Sequence, residues 1–286
     1  MNHIETNVEI KQTEAADGMG RVLIKGSGDL ASGIALRLYR AGFQILMTEI
    51  AVPTTVRRTV AFSPAVYLGR MQVEDVTGVL CDSVKMAEKE IGNGNIAVMV
   101  DEHADCIREF QPDVLVDAIL AKRNLGTRRD MAPLTIALGP GFTAGEDVDV
   151  VVETKRGHRL GRIIREGAAI PNTGIPGVIG GYGAERVIHA QAAGIFKNVR
   201  VIGDIVEAGD TIAEIWQEDG TRLLVQTQIT GILRGLLRDG YLVTEHLKVA
   251  DVDPRKEELS NCFLISDKAR CIAGSVLELV CAQLWK

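Results

Sequence analysis

The spacing of apolar residues changes near residue 150 of the chain. Before this point, short apolar runs such as VLIK, QILMTE and VLVDAI alternate with stretches in which apolar residues recur every three or four positions. This alternation is typical of parallel strands that are covered by helices. It predicts a Rossmann-like, mostly parallel α/β domain over residues 21–150, preceded by a mobile polar tail over residues 1–20.

Beyond residue 150, short strand-like runs lie between frequent glycines, which predicts a β-rich domain over residues 151–255. Within it, residues 192–215 align with residues 229–252 at a constant offset. Two such units bury their apolar faces by packing together, and the repeat is similar to the barrel-sandwich carrier domains. We therefore predict a barrel-sandwich-like domain with an internal repeat. The link between its halves, WQEDGTRLLVQT, has no lysine, which argues against a swinging-arm carrier.

The last segment, residues 256–286, predicts a C-terminal helix that docks on the body of the protein. Ser266 or Asp267 is a suitable N-cap before apolar residues at helical spacing. The predicted fold class is therefore α/β, with a Rossmann-like domain, a barrel-sandwich-like domain and a C-terminal helix.

Composition and charge limit the class of function. The 286 residues are 46% hydrophobic and 24% charged, with a formal net charge of −6. No apolar stretch approaches the ~18 residues of a membrane span, and the acidic balance disfavours nucleic acid. We expect a cytoplasmic protein with neither of these partners, and leave open whether it forms a homo-oligomer. The five cysteines form no CxxC pair, so no metal site or disulfide framework is expected.

A glycine loop follows the first predicted strand in the sequence KGSGDLASG. Gly26, Ser27 and Gly28 fall where a dinucleotide loop holds phosphate. Glu49 ends the next predicted strand, where a carboxylate meets ribose hydroxyls. Asp29 places a negative charge beside the expected phosphate. It is therefore open whether Asp29 takes part in binding, caps the helix, or belongs to a turn that is tight for packing alone.

Two basic clusters are candidates for binding an anionic ligand. Lys122 and Arg123 follow the predicted strand VLVDAI, at the carboxyl end where α/β sheets bind ligands. The second cluster contains four candidates: Lys155, Arg156, Arg159 and Arg162. Guanidinium groups hold phosphate or carboxylate in bidentate fashion, whereas the alternative is a solvated basic edge strand. We expect these clusters and the glycine loop to form one site between the domains.

His158 lies inside the second cluster and is a candidate acid or base, since surrounding positive charge favours its neutral form. The alternative is a histidine that only makes structural hydrogen bonds and has no part in catalysis.

Long motifs of the chain resemble the YqeB family: KGSGDLASGIALRL, VDAILAKRN, LGPGFTAGEDVDVVVETKRGHRLGR, PNTGIPG and ISDKARCIAGSVLE. The resemblance covers nearly all of residues 20–286. It implies an accessory, maturation role for bacterial selenium-dependent molybdenum hydroxylases, with an N-terminal part similar to the Rossmann-like domain of the XdhC maturation proteins. The implied partners are an apo molybdenum hydroxylase and other maturation proteins.

The resemblance also implies a molybdopterin dinucleotide-type ligand, a pterin dithiolene extended by a cytidine diphosphate, and a role in sulfur or selenium loading. Cys271, beside Arg270, is the candidate thiol for such a relay, although its apolar neighbours favour burial. Two alternatives stay open: an NAD(P)-binding oxidoreductase that uses residues 22–49, and a protein scaffold that binds no small molecule. Whether the protein is an enzyme is not decided by the sequence.

Overall fold

The computed structural model describes residues 19–172, 174 and 177–285. Most of the predicted mobile tail lies outside the described residues. So do Thr173, Ile175 and Pro176 of the PNTGIPG motif. The description below refers to the remaining chain.

One large sheet dominates the first part of the chain. Ten strands precede residue 165: β1 (Arg21–Lys25), β2 (Gln44–Glu49), β3 (Arg70–Val73), β4 (Val76–Leu80), β5 (Ile96–Val100), β6 (Val114–Asp117), β7 (Leu134–Leu138), β8 (Thr143–Ala144), β9 (Val150–Val152) and β10 (Ile163–Ile164). All except β8 form one sheet, in the order β10-β9-β7-β6-β1-β2-β5-β4-β3. The seven inner strands are parallel, whereas β10 and β3 pair antiparallel at the two edges.

Helices cover both faces of this sheet. They are α1 (Asp29–Arg40), α2 (Ala65–Leu68), α3 (Val84–Gly92), α4 (Ile107–Phe110) and, at the end of the chain, α5 (Asp267–Leu284). The buried residues of α1 and α5 share one core with alternate residues of the strands, and those of α3 and α4 belong to a second core with the intervening residues. Among the described residues, no helix is long and apolar enough to span a bilayer.

Antiparallel sheets form most of the remainder. The strands are β11 (Gly167–Ala168), β12 (Val187–His189), β13 (Gly194–Asn198), β14 (Ile205–Val206), β15 (Thr211–Trp216), β16 (Arg222–Gln226), β17 (Gly231–Leu236), β18 (Leu242–Val243) and β19 (Lys248–Asp253). β11 pairs with β8, and two four-stranded sheets have the orders β12-β19-β17-β14 and β16-β15-β13-β18. The two segments of the sequence repeat contribute corresponding strands. The short strand of each segment pairs with a strand of the other segment: β14 pairs with β17, and β18 pairs with β13.

The predicted fold class, a Rossmann-like domain followed by a barrel-sandwich-like domain, is wrong. The large sheet is mixed, takes β9 and β10 from beyond residue 149, and is accompanied by three antiparallel sheets. The physical reason lies in β9, all three of whose residues are buried. A strand that is covered on both faces suits the interior of a parallel sheet. This apolar run therefore extends the first sheet, although its sequence suggested the start of a separate β-rich unit.

The loop after β2 connects the large sheet with the antiparallel sheets. Val56 packs in the core between the two four-stranded sheets. Its carbonyl accepts the N–H of Leu236 at 2.8 Å, and Arg58 Nε donates to the Leu236 carbonyl at 2.6 Å. Since the same loop begins at the carboxyl end of β2, the antiparallel part is fixed close to that end of the large sheet.

The contact between α1 and α5 can be tested at Gly33. A Cβ at this position would lie 2.7 Å from the Cβ of Ala269 and 3.1 Å from Cγ2 of Ile265. We expect Gly33→Ala to lower the free energy of unfolding by about 1–2 kcal/mol, because overpacking outweighs the gain in helix propensity. Urea unfolding measures this change.

The matched control is Gly274→Ala in α5, whose added methyl group meets no atom within 4 Å. It should stabilise the protein by up to ~1 kcal/mol through helix propensity. If Gly33→Ala were as stabilising as this control, the close helix contact would be disproved.

Candidate functional site

A cleft of about 360 Å³ opens at the carboxyl ends of four neighbouring parallel strands, β6, β1, β2 and β5. Its walls come from residues 26–31, 48–55, 101–103 and 118–125, the segments that follow these strands. The chain passes from β1 to β2 on one side and returns later to β6 on the other side of β1. Such a reversal of strand order leaves a crevice in which α/β sheets bind ligands.

The glycine loop is built for close backbone contact. Gly26 has a φ of 89°, and a Cβ there would lie 3.1 Å from the carbonyl oxygen of Ala118. A side chain at this position would therefore be strained and would push the loops after β1 and β6 apart. The carbonyl of Ser27 accepts the N–H of Ser63 at 2.9 Å and the hydroxyl of Ser32 at 3.1 Å. The loop is thus fixed before any ligand binds.

Glu49 orders this loop from the end of β2. Its Oε2 accepts the N–H and the hydroxyl of Ser27, at 2.9 and 2.8 Å, and its Oε1 accepts the N–H of Ile50 at 2.9 Å. The carboxylate also lines the cleft. Its predicted contact with ribose hydroxyls stays a prediction, but the structure gives Glu49 a second task that the sequence did not indicate.

Asp29 begins α1 with Gly28 as the N-cap residue, which offers no side-chain cap. Within the described part of the chain, the Asp29 carboxylate makes no hydrogen bond to the first-turn N–H groups. Its contact is with Arg57, whose Nη1 lies 3.8 Å from Oδ2. The capping alternative is therefore not what the structure shows. The first residues of α1 line the cleft, and no described side chain caps this helix end.

The polar lining of the cleft is acidic. It contains the carboxylates of Asp29, Glu49, Asp101 and Glu102, and no lysine or arginine is among the lining residues that the structure describes. Burial opposes ionisation of Asp101, but the N–H donors of Cys106, Asp105 and Ala104 outweigh it and lower the pKa of Asp101. These groups accept hydrogen bonds from hydroxyl and amino groups. They repel an anion, and the positive end of α1 partly offsets this repulsion at Asp29.

A buried polar cluster below the cleft was missed from the sequence. Lys25 and Asp117 are 1% and 2% exposed, with 3.8 Å between Nζ and Oδ2. Thr127 lies between them, since its Oγ1 accepts from Lys25 Nζ at 2.8 Å and donates to Asp117 Oδ2 at 2.5 Å. The available signal was a charged residue that closes each of two apolar strands. The cluster ties the loop after β6, one wall of the cleft, to β1.

Lys122 and Arg123 belong to the same loop after β6, but both are exposed and neither lines the cleft. Their backbone packs against the turn at Gly141, where a Cβ would come within 2.5 Å of the Arg123 nitrogen. The structure therefore places these two cations beside the cleft mouth, and their predicted role in ligand binding stays a prediction.

The second basic cluster does not join the cleft. Arg156 makes a bidentate ion pair with Asp267 at the start of α5, with distances of 2.7 and 3.0 Å. Arg159 and Arg162 line a separate cavity of about 320 Å³ together with Glu153. The predicted single site is thus divided between two cavities.

The remaining candidates of the second cluster lie in the loop around this separate cavity. The Lys155 N–H donates to Glu153 Oε1 at 2.7 Å. His158 is exposed and lines neither cavity. Neither Lys155 nor His158 is among the described residues that line the cleft. Their predicted roles in cofactor binding and catalysis therefore stay predictions.

Cys271 is exposed, in contrast to the burial that its apolar neighbours favoured. Its Sγ donates to the Leu160 carbonyl at 3.6 Å, so it packs against the backbone of the second basic cluster. Burial raises the pKa of the Cys81 thiol to about 11. Burial and the neighbouring Asp101 carboxylate raise the pKa of the Cys106 thiol still further. Cys271 is therefore a better placed thiol than either. Over residues 19–172, 174 and 177–285, no group of three or more His, Cys, Asp or Glu side chains is arranged to hold a metal ion.

Comparison with known proteins identifies a relative over most of the chain. No family model matches. A protein of Escherichia coli (strain K12), named "Uncharacterized protein YqeB", is 51% identical over 257 residues, which is 90% of this chain. The chain is a homologue of YqeB. This supports the family that the sequence motifs predicted. The chain spans 46% of that relative's length, so the activity and partners of the whole protein are proposals.

Solved structures show a weaker similarity. The ectoine utilization protein EutE (DoeB) from Ruegeria pomeroyi is 12% identical, with 82% of this chain and 86% of that chain covered and a TM-score of 0.25. A succinylglutamate desuccinylase/aspartoacylase from Rhodobacter sphaeroides is 16% identical, with coverages of 82% and 85% and a TM-score of 0.28. An aspartoacylase family protein from Mesorhizobium loti is 14% identical, with coverages of 82% and 84% and a TM-score of 0.29. The correction of the predicted fold class rests on the order and direction of the strands, and these low TM-scores support no argument about function.

The role of Glu49 in the loop can be tested with Glu49→Gln. Glutamine offers one acceptor oxygen, so either the Ser27 donors or the Ile50 N–H would face an NH₂ group. We expect the free energy of unfolding to fall by about 1–2 kcal/mol, because the partly buried Ser27 donors lose a charged acceptor or the exposed Ile50 N–H loses its partner. Glu102→Gln is the control, because Glu102 is exposed in the same cleft. Equal urea midpoints for the two variants would contradict this role.

The ion pair between Arg156 and Asp267 predicts a pH dependence. The Arg156 guanidinium lowers the pKa of Asp267 from 3.8 to about 2. The pair therefore stabilises the fold fully above about pH 4, and this stabilisation is lost as Asp267 takes up a proton towards pH 2. Because both side chains are partly exposed, Arg156→Gln should cost less than about 1 kcal/mol at neutral pH.

Denaturant titrations at several pH values measure this difference, with Arg165→Gln, at an exposed arginine directly after β10, as the control. The wild type and Arg156→Gln should converge as the pH falls from 4 to 2. A gap that widens on acidification would show that the ion pair is not its source.

Proposed function

We propose that the chain binds the nucleotide part of a cofactor in the cleft at the carboxyl ends of β6, β1, β2 and β5. The observation that supports this proposal is the convergence of three features on one cleft. They are a glycine loop with close backbone contacts, the uncapped start of α1, and Glu49 at the end of β2. The glycine loop suits the diphosphate of a nucleotide, the start of α1 suits the negative charge of that diphosphate, and Glu49 suits the ribose.

The charge of the cleft sets the orientation of this ligand. The carboxylates of Glu49, Asp101 and Glu102 accept hydrogen bonds from ribose hydroxyls and from the amino group of a base. A diphosphate would be repelled by these groups and is accommodated only at the positive end of α1. The sugar and base therefore occupy the acidic part of the cleft, and the phosphates lie at Gly28 and Asp29.

The proposed ligand is a molybdopterin dinucleotide-type cofactor, and the proposed role is that of a maturation factor for a selenium-dependent molybdenum hydroxylase. The homology to YqeB supports the family from which this role is inferred. In this role the chain would hold the cofactor while sulfur or selenium is loaded and would pass it to the apo hydroxylase with other maturation proteins. Cys271 is the candidate thiol, since it is exposed on α5.

An NAD-dependent oxidoreductase is the second candidate, because Glu49 at the end of β2 would suit a free ribose 2′-hydroxyl. The same carboxylate would repel the additional phosphate of NADP. The two candidates differ in the ligand that fills the cleft, and a single set of titrations separates them.

Calorimetric titration of the full chain with CDP, ADP and NADH tests the proposal. We expect CDP to bind, and NADH to show no increase in nicotinamide fluorescence. Gly28→Leu should weaken CDP binding by about tenfold or more, equal to ~1.4 kcal/mol, because its side chain would enter the cleft. The fold tolerates a side chain there, since Thr55 Oγ1, at 3.8 Å, is the only described neighbour within 4 Å of such a Cβ.

Gly92→Leu is the matched control, at an exposed glycine of α3 with open space around its Cβ. Tight NADH binding that Gly28→Leu removes would favour the oxidoreductase. A wild-type chain that binds none of the three nucleotides would contradict nucleotide binding and favour a scaffold without a small-molecule ligand.

A further inference from the structure

The start of α1 is flanked by a buried arginine whose charge is incompletely paired. The Arg57 side chain is only 10% exposed, and its Nη2 donates to the Asn261 carbonyl at 3.0 Å. Its Nη1 reaches Asp29 Oδ2 only at 3.8 Å, and its buried Nε has no hydrogen-bond partner in the described chain. An unpaired N–H of a buried guanidinium is costly, so this position calls for an oxyanion acceptor.

The charged residues around Arg57 increase its need for an acceptor with negative charge. Burial and the nearby Arg234 guanidinium lower the pKa of Arg57, and Asp29 and Asp251 only partly oppose them. Asp251 is itself shared, because both Arg186 and Arg234 contact its carboxylate. Asp251 is therefore already paired with two other arginines, and Asp29 is the carboxylate that the Arg57 guanidinium reaches in the described chain, at 3.8 Å.

Lys268 brings a second cation to the same place from the end of the chain. It is the second residue of α5, and the contact of Gly33 with Ala269 sets the start of α5 one turn along from Asp29. The Lys268 side chain is partly buried. Burial and the repulsion of Arg156 lower its pKa, against the attraction of Asp29 and Glu153. Among the described residues its ammonium group makes no hydrogen bond or ion pair within 4 Å.

Asp29 contacts Arg57 and lies close enough to Lys268 to oppose the lowering of its pKa. Its side chain is 36% exposed and lines the cleft at the N-terminus of α1. One carboxylate without a hydrogen bond to either cation is a poor match for two cations and a helix end. A group with more negative charge and more acceptor oxygens would match them better.

We propose that Asp29 holds the place of a ligand diphosphate, and that Arg57, Lys268 and the first N–H groups of α1 form the phosphate subsite once Asp29 turns outward. This inference rests on the proposed function, because it assigns the phosphate end of the same cleft. It also replaces the cations that the sequence suggested. Arg156 is already paired with Asp267, and Arg159 and Arg162 face another cavity.

The test compares CDP, cytidine and inorganic pyrophosphate in calorimetric titrations of the full chain and three variants. Lys268→Gln and Arg57→Gln should each weaken CDP binding by about tenfold, and Asp29→Asn should strengthen it by about threefold or more, because one repulsive charge is removed. Cytidine affinity should not change in any variant, since cytidine carries no phosphate. Lys256→Gln, at an exposed lysine, is the control for loss of net positive charge.

The outcomes separate this inference from the proposed function. If the wild type binds CDP but Lys268→Gln and Asp29→Asn bind it equally well, the phosphate subsite is disproved while nucleotide binding stands. If pyrophosphate binds as tightly as CDP and cytidine does not bind, the cations serve a free anion, and the assignment to a nucleotide is overturned. If the wild type binds neither CDP nor cytidine, nucleotide binding itself fails. Lys268 and Asp29 are partly exposed, so these two variants remain informative if Arg57→Gln does not fold.

Discussion

The contact between Gly33 of α1 and Ala269 of α5 constrains the rest of the structure. Because Gly33 has no side chain, the two helices approach until an added Cβ would lie 2.7 Å from that of Ala269. This distance fixes the position of α1 over the sheet and, with it, the glycine loop at its start. It also brings the last helix of the chain, with Asp267 and Lys268 at its N-terminus, to the edge of a cleft built from the first residues of the fold.

The cleft combines two electrostatic environments within a few ångströms. Carboxylates from three segments make most of its wall negative. The start of α1 is positive, and Arg57 and Lys268, which do not line the cleft, add positive charge behind Asp29. A uniformly anionic ligand fits neither the whole cleft nor its acidic part. A ligand with neutral hydroxyl and amino groups at one end and phosphate at the other matches both, which is the distribution of charge along a nucleoside diphosphate. This match depends on the arrangement of charge and does not require a particular base.

Local features of this site were predictable from the sequence. The apolar runs predicted β1 and β2, the spacing of glycines predicted the loop at Gly26, and either Ser266 or Asp267 was predicted as a helix N-cap. The structure has Ser266 as the N-cap. Its hydroxyl accepts the N–H of Ala269 at 3.2 Å. Each of these features depends on residues that are close in sequence, because a turn or a cap is decided within one helical turn of chain.

Long-range contacts decided what the sequence did not reveal. Arg156 looked available for a ligand, but its partner Asp267 is 111 residues away. The fold class was missed for a similar reason. The sequence of β9 does not indicate which strand it pairs with. Its parallel pairing with β7 makes it part of the large sheet. Spacing within a segment predicts its local conformation, whereas its neighbours depend on the packing of the whole chain.

The role of the aspartate in the sequence KGSGD follows from this packing. In isolation, a carboxylate at the first position of a helix is stabilised by the helix dipole and would exclude a phosphate from the same place. In the folded chain, Arg57 and Lys268 add positive charge that one carboxylate does not balance. Asp29 then lowers the free-energy cost of the buried Arg57 and the partly buried Lys268 while no ligand is bound, and its side chain is exposed enough to move when a ligand binds. Its negative charge is therefore compatible with a phosphate site, because the cations beside it would otherwise be unpaired.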